Sequence, residues 1–378
     1  MGALDGIRVL DLSRLLPGPF ASMVLADHGA EVLSLEDRRF QKDDLYFDDV
    51  YRNKKHMTLN LKSEMGKKIF FQLAADVDII LEGFRPGVVD RLGVAYKDVC
   101  RVNPAVIYCS ITGYGQSGPD AQRAGHDVNY LSRAGVLDSI GGVGEPPAIP
   151  AMQCADIAGG AMNGVIGILL ALYEREKSGK GQYIDISMTD GVVPLLTLPY
   201  ILGKKTGRVQ GRSESMLSHR YACYNTYETA DGRYISLGAV ENRFWSQLCT
   251  LLQVEEYIPL QYDEHRREEI TARIRLIFQS RPLSYWDDLL AEADVCYSKI
   301  STLEEVLSDQ LFWDREMVVN QSERSGSGKT FGVPVKLGRT PGKVRSAPVS
   351  FGESTREVLA SLGYSENEIH NFFNAGVV

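Results

Sequence analysis

The sequence predicts an α/β fold with a parallel sheet, followed by a smaller α+β domain. Short apolar runs alternate with helical segments as far as residue 202, and a hairpin pattern replaces that alternation after residue 221. The chain has 378 residues, about 2.5 times the ~150 residues typical of one domain. Two domains with separate cores are therefore expected.

The first part of the chain repeats a strand–helix–strand pattern. Its predicted strands are residues 9–12, 32–35, 57–61, 78–81, 105–111 and 183–188, and its predicted helices are residues 20–28, 63–75 and 157–176. Strands separated by helices require crossover connections, which make neighbouring strands parallel. The pattern therefore predicts one parallel sheet covered by helices.

The second part of the chain changes to hairpin and helix signals. Aromatic and β-branched residues at 221–227 and 234–237 flank Asp231-Gly232, a pair typical of a hairpin turn. Helices are expected at residues 243–252, 268–280, 284–292 and 303–308. The predicted divisions are a large domain over 1–202, a small domain over 221–318, and a connector and C-terminal segment over 319–378 that returns to the large domain.

Composition excludes several classes of function. The 41 Lys and Arg residues against 49 Asp and Glu give a net charge of -8, which leaves no general basic surface for nucleic acid. The start of the chain lacks a signal-peptide pattern, and no uninterrupted apolar stretch approaches the ~20 residues of a membrane span. Six scattered cysteines without a CxxC pair predict free thiols in a reducing cytoplasm, with no zinc and no disulfide.

One glycine motif has the spacing of a dinucleotide-binding loop. Gly113-Tyr-Gly-Gln-Ser-Gly118 follows a predicted strand, as such a loop would. However, residues 119–125 carry no apolar stripe, so no helix follows to bind a pyrophosphate at its N-terminus. The motif predicts a tight turn, or a floor where a ligand approaches the backbone, rather than an NAD site.

Three polar residues stand at predicted helix starts. His126 and Asp156 each precede an apolar helical segment, and Glu241 precedes Phe244-Trp245. A histidine at a helix start can stay neutral and act as a base. By residue type alone, the commoner explanations of the three are a hydrogen-bonded histidine, an N-cap aspartate and a surface carboxylate.

Motifs along the whole chain resemble one enzyme family. They are Gly2-Ala-Leu-Asp-Gly-Ile-Arg-Val-Leu-Asp-Leu-Ser, Pro17-Gly-Pro, Arg52-Asn-Lys-Lys, Glu82-Gly-Phe-Arg-Pro-Gly, Gly113-Tyr-Gly-Gln-Ser-Gly-Pro and Leu362-Gly-Tyr-Ser. The chain resembles the family III CoA-transferase and α-methylacyl-CoA racemase superfamily, and Gly125-His126-Asp127 resembles its racemase branch. The resemblance implies a Rossmann-like large domain, an inserted small domain, and a homodimer of interlocked subunits.

The same resemblance implies an acyl-CoA substrate and assigns the site. Coenzyme A would be part of the substrate, with no separate cofactor. The implied acid and base are His126 and Asp156, with Glu241 orienting His126 and the Asp127 backbone N–H donating to the enolate oxygen. The implied CoA contacts are Arg38, Leu59, Asn60, Leu61, Lys62, Gly83, Phe84, Arg85, Arg91, Gly125 and Tyr130.

Some features depart from the racemase pattern, and alternatives stay open. Ser218-His219 replaces a common Gly-Gly pair, and Phe312-Trp313-Asp-Arg315 replaces a common His-Pro-Gln stretch, so the acyl chain is not specified. The first alternative is a CoA-transferase in which Asp156 attacks the acyl-CoA. A non-catalytic CoA-binding subunit and an NAD dehydrogenase are the others.

Overall fold

The structure is a computed structural model that describes residues 2–43, 45–321 and 328–378. Residues 322–327 of the predicted connector lie outside the described residues. Among those described, the main sheet has six parallel strands in the order β3-β2-β1-β4-β5-β6. They are β1 (Arg8–Asp11), β2 (Glu31–Glu36), β3 (Lys54–Thr58), β4 (Ile79–Glu82), β5 (Ile107–Thr112) and β6 (Tyr183–Ser187). The prediction of an α/β fold with a parallel sheet is confirmed.

The helices follow in chain order. They are α1 (Pro17–Asp27), α2 (Glu64–Ala74), α3 (Val88–Leu92), α4 (Tyr96–Val99), α5 (Asp127–Arg133), α6 (Asn163–Ser178), α7 (Met188–Val192), α8 (Thr197–Thr206), α9 (Asn242–Leu251), α10 (Arg267–Phe278), α11 (Leu283–Leu290), α12 (Leu303–Ser308), α13 (Gln310–Asp314), α14 (Thr355–Ser361) and α15 (Glu366–Asn374). A π-helix, Ala155–Met162, runs directly into α6. Short 3-10 helices cover Arg38–Lys42, Asp48–Tyr51, Leu137–Ser139, Val193–Leu196 and Glu255–Leu260.

The two ends of the chain share one hydrophobic core. Leu10 of β1 and Ile80 of β4 are fully buried in the same cluster as Leu359 of α14 and Ile369 of α15. The backbone N–H of Asn60 donates to the carbonyl of Val377 at 2.8 Å. The C-terminal helices therefore pack on the same core as the first strands of the sheet.

Glycines let the long helix that begins at residue 155 approach the sheet. A Cβ on Gly164 would lie 2.9 Å from Ile111 Cδ1, and a Cβ on Gly159 would lie 2.4 Å from the carbonyl oxygen of Met188. The π-helix and α6 together span 24 residues, Ala155–Ser178, and contain an 18-residue window with a mean hydropathy of 1.6. By length and composition alone this helix could cross a membrane. No such span was expected from the sequence, because only uninterrupted apolar stretches were counted there. Its packing on β5 makes it a layer of the α/β unit.

The second group of strands is antiparallel. Strands β7 (Tyr224–Glu228) and β8 (Tyr234–Gly238) form the predicted hairpin, with Gly232 at φ +71° in its turn, and β9 (Tyr297–Lys299) adds a third strand. Trp245 of α9 is fully buried in the core beneath them. A separate antiparallel pair joins β10 (Val318–Asn320) to β11 (Lys329–Phe331).

Contacts between residues divide the described chain into two compact units. The first contains the described residues of 1–134, 150–194 and 309–378, and the second contains residues 135–149 and 195–308. Compactness of contacts is no test of independent folding, so the predicted domain limits stay a prediction.

Candidate active site

A cleft of about 230 Å³ lies in the first unit at the carboxyl ends of the strands. Ser13 and Arg14 follow β1, residues 83–86 follow β4, and Thr112 ends β5. The strand order reverses between β1 and β4, the switch point where open α/β sheets bind ligands. The fold therefore builds a ligand site here.

The first unit also holds a larger cavity of about 980 Å³. Its lining includes Arg8, Glu31 and Lys54 at the amino ends of β1 to β3. None of the predicted site residues lines it. Size alone would favour this cavity, but the predicted acid/base residues His126 and Asp156 line the smaller cleft.

Two glycines and an aromatic ring place His126 on the wall of that cleft. A Cβ on Gly113 or on Gly125 would lie 2.4 or 2.7 Å from the Tyr130 ring, so the ring packs directly against both backbones. His126 is the N-cap residue of α5, and its backbone N–H donates to Asn129 Oδ1 at 3.0 Å. The predicted helix start at His126 is confirmed.

Asp156 lies on the same cleft, in the first turn of the π-helix. The backbone N–H groups of Ala155 and Asp156 both donate to Asp127 Oδ2, at 2.6 and 3.0 Å. The side chain of Asp127 therefore ties the start of α5, beside His126, to the segment that carries Asp156. The family resemblance implied only a backbone role for Asp127, and no sequence pattern predicted this side-chain role.

Burial changes the acidity of Asp156. Loss of solvent, followed by the nearby charge of Asp127, raises the pKa of Asp156 to about 6, while His126 acts in the opposite direction. A carboxyl group with such a pKa is populated in both protonation states near neutral pH. This suits a group that must give and take a proton.

The turn after β4 supplies a cation. Gly83, Phe84 and Arg85 all line the cleft, and the Phe84 N–H donates to Glu82 Oε2 at 2.7 Å. The cleft is smaller than the ~300–1,000 Å³ of typical ligand pockets, so it has room for only part of a large ligand.

The other predicted CoA residues lie outside the cleft. Arg38 starts a 3-10 helix and Arg91 belongs to α3, and both are exposed. Leu59 is buried in the core, Leu61 packs against that core, and Lys62 is exposed. Asn60 Nδ2 donates to the Gly376 carbonyl at 3.1 Å, so this segment contacts the C-terminus.

Glu241 belongs to the second unit. It is the exposed N-cap residue of α9, and its carbonyl oxygen accepts the N–H groups of Phe244 and Trp245. This placement agrees with a carboxylate that opens a helix. Its predicted role in orienting His126 stays a prediction.

Several lining residues were missed from the sequence. Arg14 and Thr112 line the cleft although no motif marked them, whereas Ser13, which also lines it, ends the first family motif. Thr112 Oγ1 is buried and has no hydrogen-bond partner among the described residues. The available signal for Thr112 was its position, because it is the last residue of β5.

Sequence comparisons match nearly the whole chain. The profile of CoA-transferase family III matches residues 4–355. The chain is 36% identical over 369 residues to the alpha-methylacyl-CoA racemase of Mus musculus, covering 97% of this chain and 95% of the relative. It is also 30% identical over 402 residues to the succinyl-CoA:glutarate CoA-transferase of Mus musculus, covering 100% of this chain and 91% of the relative.

A comparison of folds gives the same family. A crystal structure of a CAIB/BAIF family protein from Brucella suis superposes with a TM-score of 0.83 at 27% identity. The match covers 96% of this chain and 99% of that one. The agreement extends over the whole fold rather than over a single motif.

Proposed function

This chain belongs to CoA-transferase family III, and within that family we propose that it interconverts the two epimers of 2-methylacyl-CoA thioesters. The observation that carries the proposal is the presence of His126 and Asp156 on one cleft. Epimerisation removes the α-proton from one face of a carbon and returns a proton to the other, so it needs two acid/base groups.

The proposed reaction has two proton transfers. A His126 ring nitrogen takes the α-proton of the S epimer, and the electron pair of the broken C–H bond moves into an enolate. Protonated Asp156 then gives its proton to the opposite face, which forms the R epimer and leaves an Asp156 carboxylate. The roles reverse for the R substrate, and proton exchange with solvent resets the site.

The acidity of Asp156 supports this division of roles. A pKa of about 6 leaves part of the Asp156 population protonated near pH 7, as the donor step requires. The Asp127 N–H at the start of α5 is the proposed donor to the enolate oxygen, and Glu241 the proposed partner of His126. These two assignments rest on the family resemblance.

The remaining ligand contacts are also proposals. Arg85 on the cleft, with Arg38 and Arg91 outside it, would hold the phosphates of the CoA portion through charge-assisted hydrogen bonds. CoA enters as part of the substrate, and no further cofactor, metal or nucleic acid is proposed. We place the enzyme in the cytoplasm, where its free thiols would stay reduced.

Acyl-CoA transfer is the second candidate. The CoA-transferase relatives favour it, and Asp156 can act as a nucleophile when ionised. In that reaction an Asp156 oxygen attacks the thioester carbonyl, the CoA thiolate leaves, and a mixed anhydride carries the acyl group to an acceptor acid. His126 is not required for this reaction.

Incubation of each epimer of a 2-methylacyl-CoA in D₂O, without an acceptor acid, separates the two. Epimerisation predicts α-deuterium incorporation and drift of either epimer to a mixture. Acyl transfer to an added carboxylic acid, with the α-hydrogen retained, would contradict the proposal and support the transferase.

We also propose that two copies of the chain form a homodimer. The face of the long helix opposite its glycines carries Met162, Ile166, Leu170 and Tyr173 at helical spacing, and Leu170 and Tyr173 are each 65% exposed. A continuous apolar stripe of this kind needs a cover, and the family resemblance predicts a second copy. Light scattering should give twice 41.9 kDa, and a stable, active monomer would contradict the dimer.

A further inference from the structure

Three polar side chains form a row across the sheet behind the cleft. Glu82 of β4 pairs with Ser110 of β5, and Ser110 pairs with Asp185 of β6. Residues paired across parallel strands project from the same face of a sheet. Two carboxyl groups therefore flank one serine at the carboxyl end of the sheet.

Glu82 is buried at an energetic cost. It is 1% exposed, its Oε1 has no hydrogen-bond partner among the described residues, and its Oε2 accepts the Phe84 N–H at 2.7 Å. A buried polar atom without a partner destabilises the fold, and an apolar side chain would avoid this. The bond to Phe84 is the contact that a carboxyl group makes here and an apolar group cannot.

Asp185 makes the corresponding contact on the neighbouring turn. Both of its carboxylate oxygens lie 3.1 Å from the backbone nitrogen of Gln116, which donates to them. The preceding residue, Gly115, has φ +79°, a conformation that favours glycine. The Asp185 carboxylate therefore fixes the tight turn that begins at Gly113, on the wall of the cleft.

We propose that Glu82 and Asp185 are positioning residues for the acyl-CoA site, each holding the backbone of one of the two turns that line it. Glu82 holds the turn with Phe84 and Arg85, and Asp185 holds the turn that begins at Gly113. This inference rests on the proposed function only for the identity of the ligand. Neither residue lines the cleft, so each acts through the turn that it holds.

The surroundings of Glu82 make its contribution depend on pH. Burial, and then the charges of Asp185 on β6 and Asp90 on α3, raise the pKa of Glu82 to about 7, while the Ser110 hydroxyl and the Phe84 N–H oppose the rise. Their own burial, and then the charge of Glu82, raise the pKa of two neighbours on its face, Tyr108 and Tyr183, which stay neutral. The turn is therefore held most firmly when Glu82 is ionised and its acceptor oxygen carries charge.

Hydrogen exchange tests the positioning role without any substrate. Glu82→Leu should speed exchange of the Phe84 N–H and leave that of Gln116 unchanged, whereas Asp185→Ala should do the reverse. Glu82→Gln keeps an acceptor oxygen and should leave Phe84 protected. Unchanged exchange in both Glu82→Leu and Asp185→Ala, or equal exposure of Phe84 in Glu82→Gln and Glu82→Leu, would overturn the proposal.

Calorimetric titration with a CoA thioester links the turns to the ligand. Loss of the hydrogen bond to either carboxyl group should weaken binding of the CoA thioester about tenfold. This is the contribution of one well-placed hydrogen bond to a charged group. The control is Asp78→Asn at the opposite end of β4, which loses the ion pair to Arg175 at 2.8 Å and should lower stability but not affinity. Equal weakening in Asp78→Asn would overturn the proposal. Absence of binding by the unaltered protein would instead contradict the proposed function and leave the exchange result standing.

Discussion

Two buried carboxyl groups of the first unit differ in their partners. Asp27, at the end of α1, is 2% exposed and accepts bonds from Arg52 Nε at 3.1 Å, Arg52 Nη2 at 2.6 Å and Asn53 Nδ2 at 2.7 Å. Glu82, at the carboxyl end of β4, is 1% exposed and forms no ion pair among the described residues. A buried acid with a cation beside it serves the fold. A buried acid without a neighbouring cation has a shifted pKa, which a reaction can use.

Asp156 belongs with Glu82 in this comparison. Loss of solvent raises the pKa of both groups, to about 6 and about 7, and both sit on or behind the cleft. Groups with shifted acidity cluster at functional sites because chemistry near neutral pH requires them. The difference predicts that substitutions at the cleft change activity first, whereas substitutions at Asp27 and Arg52 change stability first.

The largest effect is expected at the cleft. His126→Ala and Asp156→Ala should each reduce epimerisation of both substrate epimers by ~10² to 10⁴, because each face of the α-carbon needs its own group. Polarimetry or chiral chromatography of the thioester measures the rate. Activity of His126→Ala within roughly tenfold of the unaltered enzyme would contradict the two-base mechanism.

Removing the cation beside Asp27 should lower the stability of the fold. Arg52→Ala leaves Asp27 buried without its ion pair, and breaking a buried pair typically costs ~3–5 kcal/mol. Urea unfolding should show this loss, while kcat per folded molecule stays unchanged. A fall in kcat without a fall in the free energy of unfolding would contradict the expected difference between the Asp27–Arg52 pair and the residues of the cleft.

A third prediction concerns the cations near the cleft. Arg85→Ala should weaken CoA-thioester binding about 10- to 100-fold while leaving the bound reaction rate nearly unchanged, because contacts to a remote phosphate stabilise substrate and transition state alike. Arg38→Ala should act in the same direction. Unchanged dissociation constants for both variants would remove these residues from the proposed CoA site.

The smallest effect is a change in how stability depends on pH. The folded pKa of Glu82, about 7, lies above its ordinary value of 4.5, so the folded state binds the proton more tightly than the unfolded chain. The Glu82 contribution to stability is then greatest below pH 4.5 and is lost as the pH rises to about 7. Glu82→Gln should remove this slope and unfold at a higher temperature than the unaltered protein at pH 8. An identical pH profile of melting temperature would contradict it.

Much of the fold could be predicted from sequence because its signals are local. Alternating apolar runs and helices predict parallel strands, and Asp231-Gly232 predicts the hairpin. The strand order could not be read this way, since it depends on which strands meet in space. Strands β9, β10 and β11 were missed because three residues are too few to show a period.

The site divides in the same manner. The family resemblance located His126, Asp156, Phe84 and Arg85 as site residues. Helix-start signals placed His126 correctly at an N-cap, but Cys154 rather than Asp156 is the N-cap of the π-helix. The bond from Asp127 to the backbone of residues 155 and 156 joins positions 28 and 29 residues away, which no local pattern reveals. The sequence marks Glu82 only as part of a family motif, because the lack of a hydrogen-bond partner at its Oε1 is visible only in the folded structure.

The π-helix at Ala155–Met162 makes the direction of Asp156 sensitive to the length of the chain. Each residue of an α-helix turns the chain by about 100°, and a π-helix accommodates one extra residue in a turn. Deleting a single residue between 157 and 162 would restore α-helical winding into α6. Asp156 would then rotate by about 100° about the helix axis, away from the cleft, unless α6 gave up its packing on β5. The extra residue in the π-helix therefore sets the direction in which the Asp156 carboxyl group points, whatever the identity of that residue.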